Sequence, residues 1–217
     1  MVDVPGIGRW RYLYLLVALV VMLVAYPYAR GGGALSIAAV LIPLASVIAL
    51  ATQRRHLAIS IVLGIVTLEG MIQDAVRVEI LPSLVVDGAA LLLFGYTTIF
   101  VLWRVMRSER VSGDTLCGAI AVYLMIGLTW SLGCGLLEYL QPGSYHVASG
   151  GGRPATSRDL LYFSYVTLAT VGYGDVLPVT DVARSLAVLE GLCGTMYLTI
   201  LVARLIGLHL ADALPRG

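Results

Sequence analysis

Lysine is absent from this 217-residue sequence, so all 14 basic side chains are arginine. They stand against 13 acidic residues, a net charge of +1. A balance this close to zero offers no basic surface for a nucleic acid, and none is expected as a partner. Charge itself is scarce, at 12% of residues, where a soluble domain carries about 25%. Cysteine is scarce too. Cys117, Cys134 and Cys193 sit inside apolar runs with no paired spacing, which argues against a disulfide framework or a thiolate metal cluster and leaves packing as their role. The histidines, His56, His146 and His209, lie near segment ends and form no cluster, so catalysis has little to work with and no cofactor is implied.

What fills the sequence instead is apolar: 59% of residues are hydrophobic and the mean hydropathy is +0.91. That composition belongs to an integral membrane protein. Four apolar runs come first: Tyr12 to Ala29, Ala34 to Ala51 with Pro43 inside it, Leu57 to Gln73, and Gly88 (starting nearer Leu84) to Trp103. The first is read as a membrane helix rather than a signal peptide, because Tyr26-Pro27-Tyr28-Ala29-Arg30 follows it and not a small-residue cleavage site. A fifth segment runs from Gly113 to about Leu140, and a polar, glycine-rich loop from Gln141 to Ser157 follows. Thr156 or Ser157 is a candidate N-cap for a short helix over 158–169. Such a helix is too short to cross about 30 Å of hydrocarbon and reads as re-entrant. A long last helix is expected over 182–210, giving an all-α membrane protein with six spans.

Arginine fixes the expected topology. Arg9, Arg11, Arg54, Arg55, Arg104, Arg107, Arg110, Arg204 and Arg216 fall on one side, and Arg30, Arg77, Arg153, Arg158 and Arg184 on the other. The excess marks the first side, with both termini, as cytoplasmic. A multi-pass protein of a cell membrane follows, and the arginine-only, alanine- and leucine-rich usage suits a bacterial inner membrane. Only seven residues follow Leu210, so no soluble calcium- or nucleotide-sensing module is expected in this chain.

The stretch after the short helix carries the chemistry: Thr170-Val171-Gly172-Tyr173-Gly174-Asp175. Gly172 and Gly174 accept positive φ at little cost. Alternating such residues with ordinary ones turns successive carbonyls toward one line, and a column of carbonyls can replace the hydration shell of a cation. Thr170 to Gly174 resembles the TVGYG signature of the potassium-channel family. The resemblance is strongest from Gly113 to Leu210. It implies a pore domain over 112–217, with outer helix 113–140, pore helix 158–169, filter 170–174 and inner helix 182–210. Residues 1–111 match only in plan, as a four-helix transmembrane domain. The resemblance further implies K+ as permeant ion, coordinated by the carbonyls of Thr170, Val171, Gly172 and Tyr173, with the Thr170 side chain at the innermost site and Gly174 completing the turn. It also implies a homotetramer in contact with membrane lipid.

Some members of that family pair a pore-helix glutamate with the filter aspartate; here that position is Val166. Others place tryptophans early in the helix, where this chain has Tyr162 and Phe163. The Tyr162 hydroxyl either bonds Asp175 and stiffens the filter or packs on the outer helix. Gly194 aligns with the family's hinge glycine, and close helix packing is the alternative. Glu190, a carboxylate one turn earlier on the same face, is costly in an apolar helix. It either bonds the back of the pore helix, at Thr167, or is held protonated and senses pH. Arg104, Arg107 and Arg110 have the three-residue spacing of a voltage sensor, but they follow a run already long enough to span. Membrane anchoring is the plainer reading, and weak or absent voltage dependence is expected. A subunit of an active potassium transporter and a regulatory membrane protein with a vestigial filter are the competing functions.

Overall fold

The computed structural model describes residues 11–25, 54–76, 82–108, 112–148 and 152–213. The second apolar run, Ala34 to Ala51, lies outside them, as does Arg110. The described helices are α1 (Arg11–Ala25), α2 (Arg54–Val76), α3 (Ser83–Met106), α4 (Gly113–Leu140), α5 (Ser157–Leu168) and α6 (Asp181–Ala213). Three short strands join them: β1 (Tyr145–Val147), β2 (Arg153–Pro154) and β3 (Val176–Pro178). Among the described residues, three helices are long and apolar enough to cross a membrane: Ser83–Met106, Gly113–Leu140 and Asp181–Leu208. At 1.5 Å per residue their lengths run from about 36 to about 42 Å, against roughly 30 Å of hydrocarbon. Tyr12–Ala25 and Ala58–Glu69 are apolar but shorter.

The chain divides into two compact units, with the division inside α4, between Met125 and Ile126. In the first unit α2 packs on α3. The buried side chains of α3 include Ala90, Leu93, Phe94, Thr97, Val101 and Val105, the three-and-four spacing of a single helical face. Thr97 and Thr98 fit among them because their hydroxyls donate back to the Leu93 and Phe94 carbonyls, at 2.7 Å each. α1 is tied to the start of α4 where the Tyr12 N–H donates to Asp114 at 3.2 Å. At the end of α3, Arg107 lies over the Trp103 ring, 4.3 Å from its centroid, and Arg104 over Phe100.

The second unit holds the rest of α4, the strands, α5 and α6. The fold is mostly helical, as expected, with one small addition: β1 and β2 from the polar loop after α4 pair with β3, from beyond α5, in a sheet of order β2-β1-β3, antiparallel throughout. His146 pairs with Pro154 on one side and Leu177 on the other. The reason is a tether. Glu138, near the end of α4, accepts hydrogen bonds from the Gly143 and Tyr145 N–H groups, at 2.8 and 2.9 Å, and so turns the chain back on itself. Tyr145 and Val147 then point into a core made with Cys134, Leu160, Phe163, Val176 and Ala183. The rings of Tyr145 and Phe163 meet edge to face, 5.4 Å apart.

α5 begins at a built corner. The Thr156 N–H and hydroxyl both donate to Asp159, at 2.7 and 2.6 Å. Arg153 grips the same carboxylate through both terminal nitrogens, at 2.7 and 2.9 Å. The Arg153 hydrogen bond, helped by Thr156, holds the Asp159 carboxyl down at about 2.

Candidate ion-conduction site

α5 stops in a way its sequence does not announce. The Val171 N–H bonds the Val166 carbonyl and the Thr170 N–H bonds the Thr167 carbonyl, both at 2.9 Å. Those two bonds are a Schellman closure, and they put Thr170 at the left-handed position, φ +57°. Glycine normally sits there. A β-branched residue in that conformation costs on the order of 1–2 kcal/mol. Gly172 and Gly174 follow at φ +57° and +76°. Left-handed residues therefore occupy 170, 172 and 174, with Val171 and Tyr173 between them. Sequence reasoning found the two glycines; Thr170 gave no signal of its own, because its conformation is set by the helix end before it.

Every residue from Thr170 to Gly174 is exposed, Val171 at 51% and Tyr173 at 72%. Large apolar side chains left open in this unit extend along α6 at Val188, Leu189, Leu192 and Met196. Beyond the run, the Asp175 carbonyl accepts from the Ala148 N–H at 2.8 Å, which ties the end of the run to the sheet. The Asp175 carboxylate accepts from the Val176 N–H at 3.2 Å. Tyr162, on α5, faces that carboxylate with its hydroxyl, while its ring stacks parallel to Tyr173, centroids 6.5 Å apart.

Behind the run, α6 lies along α5. Its Gly194 sits where any Cβ would meet the Leu168 carbonyl, and also the Leu168 side chain at 2.9 Å. The contact leaves no room for a side chain at Gly194. A Cβ on Gly191 would stand 3.9 Å from the Thr167 carbonyl, an ordinary contact. Glu190 is fully buried and faces Ser164, one turn earlier on α5 than the Thr167 expected for it. Tyr165 of α5 lies over Gly127 of α4, where a Cβ would come 2.6 Å from the ring.

A twelve-residue helix, about 18 Å long, stands between two spanning helices and ends in a turn of alternating handedness. That arrangement defines the pore module of a membrane ion channel. The family described as "Ion channel" matches residues 115–208. The inward rectifier potassium channel Kirbac3.1 of Paramagnetospirillum magnetotacticum is 42% identical over 48 residues, 22% of this chain and 16% of that protein. Protein LctB of Bacillus caldotenax is 32% identical over 122 residues, 54% of this chain and 87% of that protein. Two pore potassium channel c of Oryza sativa subsp. japonica is 33% identical over 89 residues, 41% of this chain and 19% of that protein. No solved structure matches. The chain belongs to the ion-channel family and is not an enzyme.

Proposed function

We propose that this chain is one subunit of a potassium-selective channel that conducts passively. The observation that carries the reading is the alternation of handedness at Thr170, Gly172 and Gly174 immediately after α5. Carbonyls of Thr170, Val171, Gly172 and Tyr173 are assigned as K+ ligands, with Gly174 completing the turn. Four copies complete the site: one chain supplies a single strand of carbonyls, and a dehydrated cation needs a ring of them. The exposed apolar residues of α6 and the exposed Val171 then become subunit or lipid contacts. Asp175 marks the outer mouth, and the hydrogen bond assigned from Tyr162 to Asp175 stiffens the filter. Residues 1–111 are assigned as a four-span domain, with both termini cytoplasmic. Arg104 and Arg107, stacked on aromatic rings at the end of α3, act as anchors, so conduction depends weakly or not at all on voltage.

The test is flux into liposomes holding the purified protein. K+ should pass and be blocked by barium, while Na+ passes far more slowly. Gly172→Ala, which puts a side chain at φ +57°, should abolish the discrimination. Equal passage of Na+ and K+ through the unsubstituted protein would defeat the reading. Tyr162→Phe removes only the hydroxyl, and should quicken the loss of current during sustained conduction without changing which ion passes.

A further inference from the structure

Four elements of the second unit each send one polar side chain to the same buried point behind α5. Cys134 comes from α4, Tyr145 from β1, Ser164 from α5 and Glu190 from α6. Tyr145, Ser164 and Glu190 are fully buried and Cys134 is 1% exposed. Ser164 faces Glu190, and Cys134 lies against Tyr145, Ser164 and Glu190. Yet the Tyr145 hydroxyl, the Ser164 hydroxyl and both Glu190 oxygens close no direct hydrogen bond. Four orphaned polar atoms on three side chains, gathered in one place, are what an ordered water satisfies, since a buried water takes two to four polar partners.

The charge state follows from the company. An ionised carboxylate buried without a cation is costly enough that the group takes up a proton instead. The groups that face Glu190 are a thiol from α4, a phenol from β1 and a hydroxyl from α5, with no guanidinium among them. Glu138 also faces Tyr145, and its two oxygens are occupied by the Gly143 and Tyr145 N–H groups. A neutral acid donates one hydrogen bond and accepts others, and hydroxyls and water serve both roles.

We propose that Glu190, Ser164, Tyr145 and Cys134 form an uncharged hub around a buried water, with Glu190 as a neutral acid, and that this hub positions α5 on α6. The assignment rests on reading α5 as the pore helix. Pairs along the two helices support it. Glu190 meets Ser164, Gly191 meets Thr167 and Gly194 meets Leu168, so the hub is one turn from the place where Gly194 leaves no room for a side chain against Leu168. Glu190 touches no permeant ion in this scheme. It acts through α5, whose last turn leads directly into Thr170.

Infrared spectra of the reconstituted full-length protein test the hub. A buried carboxylic-acid C=O band should be present in the unsubstituted protein. It should not respond to bath pH across the range where exposed carboxyls and histidines titrate, and should vanish in Glu190→Gln. Ser164→Ala and Tyr145→Phe should each shift that band, because each removes a partner. Glu190→Gln, which stays uncharged and polar, should keep K+ over Na+ discrimination. Glu190→Leu should reduce it about tenfold, as expected for hydroxyls left without a partner. Lack of the band, or a band unmoved by both partner substitutions, overturns the hub even if Glu190→Leu fails to fold. A Glu190→Leu protein with unchanged discrimination overturns its positioning role. The band is read without conduction, so a protein that shows it but passes no K+ defeats the channel reading and leaves the hub standing.

Discussion

At the scale of single residues, the tightest constraint is a missing atom. Gly194 and Gly191 lie on one helix, three residues apart, and face the same neighbour, but only Gly194 presses against backbone. A carbonyl cannot rotate aside as a side chain end can. Gly194→Ala should therefore force α6 off α5 and destabilise the protein by about 1–3 kcal/mol. Gly191→Ala has room, and should be neutral or gain a few tenths of a kcal/mol from helix propensity. Thermal unfolding of the two purified variants in detergent separates them; equal melting points would refute the contact. Gly194 and Glu190 were visible in the sequence as a small and a charged residue in an apolar helix, whereas Gly191 was not singled out. Their partners were not visible, because Ser164, Thr167 and Leu168 look alike until the rotation of α5 is known. Thr170 was harder still. Its left-handed backbone is dictated by two hydrogen bonds from the preceding helix, and no property of threonine points to it.

At the scale of elements, the N-terminal corner of α5 is the place where chemistry and stability meet. Asp159 accepts from Thr156 twice and from Arg153 twice. Its folded value of about 2 lies below the ordinary 3.8, so the corner is more stable when the carboxylate is ionised. That contribution is complete above the ordinary carboxylate value and disappears as pH falls through about 2. Asp159→Asn should melt below the unsubstituted protein at neutral pH, and the gap should close on acidification toward that value. A gap that stays constant on acidification would contradict the assignment. Arg153 is half exposed, so Arg153→Ala should have the smaller effect. Helix α5 itself was legible from its cap residues and apolar run, within one residue at each end. The sheet was not. β2 is two residues with a proline among them, and β1 pairs with β3 across the whole of α5 and the run that follows, a link no local pattern records.

For the whole molecule, the family match over 115–208 and the spanning helices α4 and α6 were readable from hydropathy and one short signature. What four copies do together was inferred, and it yields two measurements. The purified protein should run as four copies by native mass spectrometry in detergent, and a monomeric mass would remove the ring of carbonyls. Currents in planar bilayers should vary little with voltage, and neutralising Arg104 and Arg107 should leave that unchanged. Steep voltage activation abolished by those substitutions would instead make the end of α3 a sensor.

The length of α6 has a mechanical consequence. It continues as one helix to Ala213, about 28 Å past Gly194. With its backbone braced on Leu168 at Gly194, the helix is a lever whose fulcrum lies beside the end of α5. A tilt of about 10° there would swing the far tip by about 5 Å while moving the fulcrum hardly at all. On the channel reading proposed above, the pore could widen or narrow at that end of α6 while the run 170–174 stays nearly in place.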